Sequence, residues 1–212
     1  MAYIANYFLQ GEVSHNGLPQ WLAENTGLSG GSPDAVGLAI WINSNGGDVM
    51  AAIEAINLIK SSPIPVATIV NGSAESAALL ILMSGHKRAA LKNSFGMAHH
   101  FSTEVAGNYH ELRDFIGHNK LLHTMMANLW KENSTVTPLL VEELMLGRQT
   151  TWMSAQELLG YGLIDTILEP GPEVFNFVRG RSVYGIEKES SPAKNKKRAR
   201  GQRNSSPEES KS

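Results

Sequence analysis

The sequence predicts an α/β fold whose sheet is mainly parallel. Two nearly continuous apolar runs, residues 36–42 and 66–70, have the pattern of strands that are buried on both faces. A segment with helical spacing follows each run, and this order favours parallel strands joined by helical crossovers. The chain has 212 residues, of which 42% are hydrophobic and 18% charged, so it can bury a core of ordinary size.

The first half of the chain supplies most of the predicted sheet. Its predicted elements are, in order, a strand at 5–9, a helix at 18–24, a loop at 27–34, a strand at 36–42, a helix at 49–59, a strand at 66–70 and a helix at 76–83. Asp48 is expected to cap the second helix, because its carboxylate precedes the first helical residue. Gly85 is expected at the end of the third helix.

The second half is predicted to add short strands and longer helices. These are strands at 88–91 and 95–99, a long amphipathic helix at 109–132, a helix at 138–146, a helix that opens at 154, and a turn and strand at 160–168. Ser154 and Glu157 have the spacing of a capping box. Residues 187–212 lack aromatic and nearly all aliphatic side chains, so we predict one folded domain at 1–186 and a disordered basic tail at 187–212.

Composition and charge argue against several classes of function. Residues 187–212 carry a net charge of +4 and residues 1–186 a net charge of −6, so the folded part does not resemble a nucleic-acid-binding domain. The chain has no cysteine, no apolar run of about 20 residues and no signal peptide, so we expect a cytoplasmic protein without membrane contact. The pair His110-Glu111 has no histidine at 114, and no glycine-rich phosphate loop occurs, so neither a metal nor a cofactor is expected.

Two strand-to-helix junctions contain residues suited to chemistry. The first, residues 42–48, reads I-N-S-N-G-G-D, and its paired glycines allow a sharp turn that presents backbone N–H groups. The second, residues 71–78, reads N-G-S-A-E-S-A-A and places Ser76 among small residues at a helix start. There the helix dipole and the free N–H groups favour a developing oxyanion. Taken alone, the first junction is also explained by a tight turn, and Ser76 by a capping role.

A serine nucleophile needs a base, and the chain offers seven histidines. His99 and His100 stand at the end of a predicted strand, about one strand–helix unit after Ser76. Because neighbouring strand residues point to opposite faces, only one of the two can face Ser76. The histidines of the long helix are expected to be solvated or to lie in an interface; they are His110, His118 and His123.

Together these segments resemble the ClpP family of serine peptidases, which has the ClpP/crotonase fold. Residues 42–47, I-N-S-N-G-G, are similar to the family's I-N-S-P-G-G turn, and residues 72–77, G-S-A-E-S-A, to its G-x-A-A-S-M/A nucleophile turn. Residues 93–99, N-S-F-G-M-A-H, resemble its P-N-x-x-x-M-I-H segment. Within residues 152–165, W-M-S-A-Q-E and Y-G-L-I-D resemble the closing F-L-S-A-x-E-A and Y-G-L-I-D. The resemblance spans residues 7–168 in the family's order.

The resemblance implies repeated ββα units, a protruding long helix called the handle, and a serine endopeptidase that acts through an acyl-enzyme. It assigns Ser76 as the nucleophile, His99 as the general base, and the N–H groups of Gly47 and Ala77 as the oxyanion hole. The family's third catalytic residue, an aspartate, is replaced by Thr150. A threonine hydroxyl can orient the imidazole but cannot stabilise imidazolium as a carboxylate does.

The resemblance also implies partners. It predicts a homo-oligomeric ring or double ring that encloses the active sites and admits peptides or unfolded protein segments. In the family the long helix joins two rings, so Met125, Met126 and Trp130 are predicted as either core or ring interface. Subunits that work with AAA+ unfoldases have a longer N-terminal segment than this chain shows, so such a partnership is in doubt and a phage-type relative, such as a head-maturation peptidase, is suggested. The basic tail is expected to be solvated or to bind acidic partners.

The sequence is compatible with two other functions. Thr150 is compatible with a catalytically weak or silent structural subunit of such an assembly. An acyl-CoA hydratase-like enzyme would share the fold and the paired oxyanion donors, although such enzymes usually use a carboxylate base, which the Ser76 and His99 pair argues against. Glu75 replaces a small residue of the family pattern and is expected to be a solvent-facing carboxylate or a substitute third member.

Overall fold

The computed structural model describes residues 3–28 and 35–179, which form seven strands and seven α-helices. In chain order these are β1 (Tyr3–Val13), α1 (Leu18–Asn25), β2 (Ala35–Gly47), α2 (Val49–Ser61), β3 (Val66–Glu75), α3 (Ala77–Ser84), β4 (Lys87–Leu91), β5 (Phe95–Ala98), α4 (Tyr109–Asn133), α5 (Pro138–Leu140), β6 (Thr151–Ser154), α6 (Ala155–Gly160), β7 (Thr166–Leu168) and α7 (Pro172–Arg179). None of the helices in these two ranges is long and apolar enough to cross a bilayer. The predicted tail and the domain boundary at 186 lie outside the described residues.

One sheet organises the fold, and it is mainly parallel, as predicted. β1, β2, β3, β4 and β7 lie side by side in that order, and each neighbouring pair is parallel. β5 continues the parallel arrangement next to the last residues of β3, and β6 runs antiparallel to β5. The sequence does not predict β6, because four residues are too few to show an alternating pattern.

β2 and β3 extend past their apolar runs, and both junctions of interest lie in these extensions. β2 reaches Gly47 and β3 reaches Glu75, whereas the sequence predicts strand ends several residues earlier. A register shift in β2 keeps the strands paired, so that Ser44 lies opposite Ala74, and Gly47 pairs with Val13 of β1. Hydrogen bonds to neighbouring strands set these ends, which is why the apolar pattern underestimates them.

The core covers both faces of the sheet. Leu38, Ile40 and Ile42 of β2 are fully buried in the main cluster, to which α2 and α3 contribute, and all residues of α3 are buried. Between them in β2, Ala39 belongs to a second cluster that includes Val178 of α7. This double burial explains why β2 reads as a continuous apolar run rather than an alternating one.

The two ends of α4 differ in environment. At its start Asn108 and Glu111 form a capping box, in which the amide oxygen of Asn108 accepts from the Glu111 N–H and the Glu111 carboxylate accepts from the Asn108 N–H. The first half of the helix is largely exposed. Towards the other end Met126 and Trp130 are buried within the chain, so these two side chains belong to the core.

The segment predicted as one helix at 138–146 is divided in the structure. α5 has only three residues and continues as a π-helical turn, Val141–Met145, which we call the π-turn. The Leu146 N–H donates to the carbonyl of Val141, five residues back. π-turns are rare and often lie at functional sites.

Candidate active site

Ser76 occupies a strained turn between β3 and α3. Its backbone has φ 53° and ψ −121°, and in the described ranges it is the one non-glycine residue with a positive φ. Such a conformation costs about 1–3 kcal/mol and persists only where the surrounding structure enforces it. Ser76 stands at the N-cap position of α3, yet its hydroxyl makes no capping hydrogen bond. The alternative interpretation of Ser76 as a capping serine is therefore wrong.

The pairing of β3 with β5 brings His99 to Ser76. The Ser76 N–H donates to the carbonyl of Met97 at 2.8 Å, one step beyond the last ladder pair. Two residues later, Nε2 of His99 lies 2.8 Å from Oγ of Ser76. With its ring proton on Nδ1, His99 accepts the hydroxyl hydrogen at Nε2. His100 instead contacts α4, so one of the two adjacent histidines faces the serine, as predicted.

The two predicted junctions meet beside Ser76. A Cβ atom on Gly46 would lie 2.8 Å from Cβ of Ser76 and 3.2 Å from the amide nitrogen of Ala77. Gly46 has φ 93° and Gly47 has φ 144°, values that favour glycine. The Ala77 N–H belongs to the first turn of α3, where N–H groups lack intrahelical partners and the dipole favours negative charge. The glycine backbone of β2 therefore runs against the helix start, where donors to an oxyanion are needed.

Polar side chains of β2 hold this junction in place. Oδ1 of Asn43 accepts from the Ser73 N–H at 3.1 Å, which ties the end of β2 to β3. The hydroxyl of Ser44 donates to the carbonyl of Gly11 in β1 and accepts from the Gly46 N–H at 3.2 Å. Asn43 and Ser44 thus have structural partners, and their place in the motif is explained by positioning of the glycines.

Thr150 lies next to His99 without bonding to it. Ala98 pairs with Thr151 in the β5–β6 ladder, so Thr150 is one step further on, at the position opposite His99. The Thr150 side chain is exposed. Among the described residues no hydrogen bond joins Thr150, Glu75 or any other carboxylate to Nδ1 of His99. Within residues 3–28 and 35–179, the Ser–His pair therefore has neither Thr150 nor a carboxylate as a third member bonded to His99.

His100 and His123 form a pair of histidines that the sequence did not indicate. Nε2 of His100 is 3.2 Å from Nδ1 of His123, and Nε2 of His123 is 3.1 Å from a carboxylate oxygen of Glu142 in the π-turn. The side chain of His123 is 33% exposed and contacts both groups, so it is not simply solvated. Its place in an interface stays a prediction. The contact joins an irregular segment to a helix, so no sequence spacing signals it.

The arrangement suits nucleophilic acyl transfer. It combines a hydroxyl on a strained turn, an imidazole in hydrogen-bond contact with that hydroxyl, and a glycine turn of β2 packed against the first turn of α3, where N–H groups lack intrahelical partners. Within the described part of the chain, no group of three or more His, Asp or Glu side chains is placed to hold a metal ion.

Comparisons with known proteins agree with this geometry. A sequence model of the Clp protease family matches residues 6–171. The ATP-dependent Clp protease proteolytic subunit of Deinococcus radiodurans is 31% identical over 135 residues, which cover 62% of this chain and 65% of that protein. Proteins of the same name from Streptococcus gordonii and Streptococcus agalactiae are 34% identical over 137 residues, which cover 61% of this chain and 67% of theirs. The match thus spans about two thirds of each relative's length. Because the family model covers well over half of the chain, this protein belongs to the Clp protease family.

Proposed function

We propose that the protein is a serine endopeptidase of the ClpP type, which cuts peptide bonds through an acyl-enzyme. The observation that carries this proposal is the 2.8 Å contact between Oγ of Ser76 and Nε2 of His99, made by a serine whose backbone is held at φ 53°. A purely structural serine would need no such strain and would be expected to cap α3. Membership of the Clp protease family supports the same activity.

In the proposed reaction, Oγ of Ser76 attacks the carbonyl carbon of a peptide bond while Nε2 of His99 accepts the hydroxyl proton. The carbonyl oxygen becomes an oxyanion, which the N–H groups of Gly47 and Ala77 stabilise. The C–N bond then breaks, and His99 gives its proton to the leaving amine. A water molecule, deprotonated by His99, then attacks the resulting ester. The ester C–O bond breaks, the carboxylic acid product leaves, and His99 returns the proton to Oγ of Ser76.

The threonine at the third catalytic position, Thr150, lowers the rate of hydrolysis that we expect. Without a carboxylate at Nδ1, little stabilises the imidazolium that forms when His99 takes the proton. In chymotrypsin-type proteases, replacing the triad aspartate by asparagine lowers kcat about 10⁴-fold. We therefore expect slower turnover than a complete triad gives. The same position favours a second candidate, a catalytically silent subunit that keeps the fold and the Ser–His contact but turns over no substrate.

We further propose that the chain acts within a homo-oligomeric ring on peptides or unfolded protein segments. The relatives are named as proteolytic subunits of an ATP-dependent protease, which supports assembly with further subunits. Three large apolar side chains of the first half of α4 are exposed, Leu112, Ile116 and Leu121. Exposed apolar clusters of this kind are typical of protein interfaces, so this half of the handle is the surface that we expect to join subunits.

Labelling with a fluorophosphonate tests the proposed nucleophile. We expect a covalent adduct on Ser76, located by peptide mapping, and no adduct in Ser76→Ala. Ser73→Ala is the matched control, because Ser73 lies three residues earlier and its N–H, which the substitution keeps, donates to Asn43. Labelling of Ser76 without hydrolysis of any unstructured fluorogenic peptide would select the silent subunit. An unlabelled but folded wild type would reject the Ser76 mechanism.

A further inference from the structure

His99 lies in a part of the backbone that no strand or helix holds. β5 ends at Ala98, and residues 99–108 run without regular secondary structure to the start of α4. Hydrogen bonds of a ladder therefore do not fix the backbone of His99. The side chain of the next residue, His100, connects this segment to α4 and to the π-turn.

The network around His100 has three contacts, and each needs one proton. Nδ1 of His100 lies 3.1 Å from the carbonyl oxygen of Phe101, which only accepts, so this nitrogen must carry hydrogen. Nε2 of His123 lies 3.1 Å from the carboxylate of Glu142, which also accepts, so this nitrogen must carry hydrogen too. The contact of 3.2 Å between the two rings needs one hydrogen and one lone pair.

The three contacts together require one proton more than a neutral pair holds. Two neutral imidazoles carry two ring protons, whereas these contacts use three. The third proton makes the pair a cation, and the side chain of Glu142, which is 53% exposed, supplies the balancing negative charge. Such a proton belongs to the pair rather than to either ring.

We propose that His100 and His123 share one extra proton and, with Glu142, form a proton-dependent clamp that positions His99. The inference rests on the proposed role of His99 as general base. His100 and His123 are positioning residues in this proposal, because their described contacts are to each other, to Phe101 and to Glu142 rather than to Ser76.

The surroundings of the clamp allow its proton to exchange with solvent. His100, His123 and Lys120 line an open cleft of about 870 Å³ between the irregular segment and α4. Lys120 is the further cationic group on α4 at this cleft. The carboxylates on the neighbouring elements are Glu104 of the irregular segment and Glu143, which precedes the end of the π-turn; both are exposed.

Loss of the extra proton must break one of the three contacts. The charge-assisted contact with Glu142 is the strongest, so the contact to Phe101 or the contact between the rings is the one given up. Loss of the contact to Phe101 frees the His100 ring from the backbone of its own segment, and loss of the contact between the rings detaches it from α4. Either loss loosens the clamp and with it the orientation of His99. Reactivity of Ser76 should therefore fall at high pH.

The rate of fluorophosphonate labelling of Ser76 between pH 5 and 9 tests the clamp. We expect the wild-type rate to show a falling limb at high pH, and His123→Gln to have a roughly tenfold lower rate without that limb. His118→Gln is the matched control, because His118 is an exposed histidine of the same helix that lies outside the clamp. His123→Arg supplies a permanent positive charge with donors for both neighbours, so it should keep the rate and lose the falling limb. A falling limb that stays unchanged in both His123 variants overturns the clamp.

A direct count of ring protons separates this inference from the proposed function. Nitrogen-15 NMR of the histidine rings in Ser76→Ala does not depend on activity. At pH 6 we expect three protonated nitrogens on His100 and His123 together, the number that the three contacts require. Two neutral rings at pH 6 would overturn the clamp even if Ser76 is labelled. A wild type that is never labelled would reject the proposed function and, with it, the positioning of a base.

Discussion

A carboxylate in place of Thr150 should accelerate the reaction if the third position is what limits it. Thr150 lies one step past the Ala98–Thr151 pair, where the β5–β6 ladder ends. Residues opposed within such a ladder have Cβ atoms about 4.5–5.5 Å apart, and we expect a similar spacing between His99 and Thr150, which lie just beyond it. In Thr150→Asp the new carboxylate can thus approach Nδ1 of His99. A unit charge about 4 Å from the imidazolium stabilises it by about 1 kcal/mol in water and about 4 kcal/mol at an effective dielectric constant of about 20.

These two limits correspond to rate gains of about fivefold and about 10³-fold. Because Thr150 is exposed, the gain should lie below the upper limit. The assay is kcat for an unstructured fluorogenic peptide together with the labelling rate of Ser76. Thr150→Asn is the matched control, since it copies the shape of aspartate without its charge. Equal rates for the aspartate and asparagine variants, both folded, would refute the electrostatic reasoning.

Three further predictions concern the stability of the fold. Gly46→Ala should lower both the melting temperature and the labelling of Ser76, because its Cβ would lie 2.8 Å from Cβ of Ser76. In contrast, Gly117→Ala should raise the free energy of unfolding by about 0.5–1 kcal/mol, because its Cβ would meet nothing within 4 Å in an exposed helix. Arg88→Lys should lower the free energy of unfolding by about 1.5–3 kcal/mol, as measured by denaturant titration. The guanidinium donates to Asp165 at 2.7 Å and to the carbonyls of Asn133 and Gly162, and an ammonium cannot reach all three together. Burial, and to a smaller extent Lys60, lower the pKa of His86 from its ordinary value of 6.5. The unfolded state therefore binds more protons, and the free energy of unfolding should drop as the pH falls below 6.5. His86→Gln should flatten that drop.

The sequence predicts the main elements because they follow from local pattern. The apolar runs of β2 and β3, the cap at Asp48 and the capping box at Ser154 depend on residues within a few positions of each other, and the structure confirms them. Elements that depend on distant partners are missed. β6 exists through its pairing with β5, and the π-turn replaces a regular helix where Glu142 reaches His123.

The same distinction applies to the site. Its strongest local signal is a residue type that does not suit the backbone conformation it adopts. Ser76 has a Cβ atom and yet adopts a backbone conformation that suits glycine, while Gly46 stands where the backbone passes within contact of that serine. A glycine at 76 would remove the strain, and a larger residue at 46 would exclude the turn. The pattern of small residues around both positions is therefore what the geometry requires, because two backbone segments must approach Ser76 closely enough to offer N–H groups. Residues that only position others, such as His100 and His123, leave no such local signal, so their connection becomes visible only when the irregular segment is packed against α4.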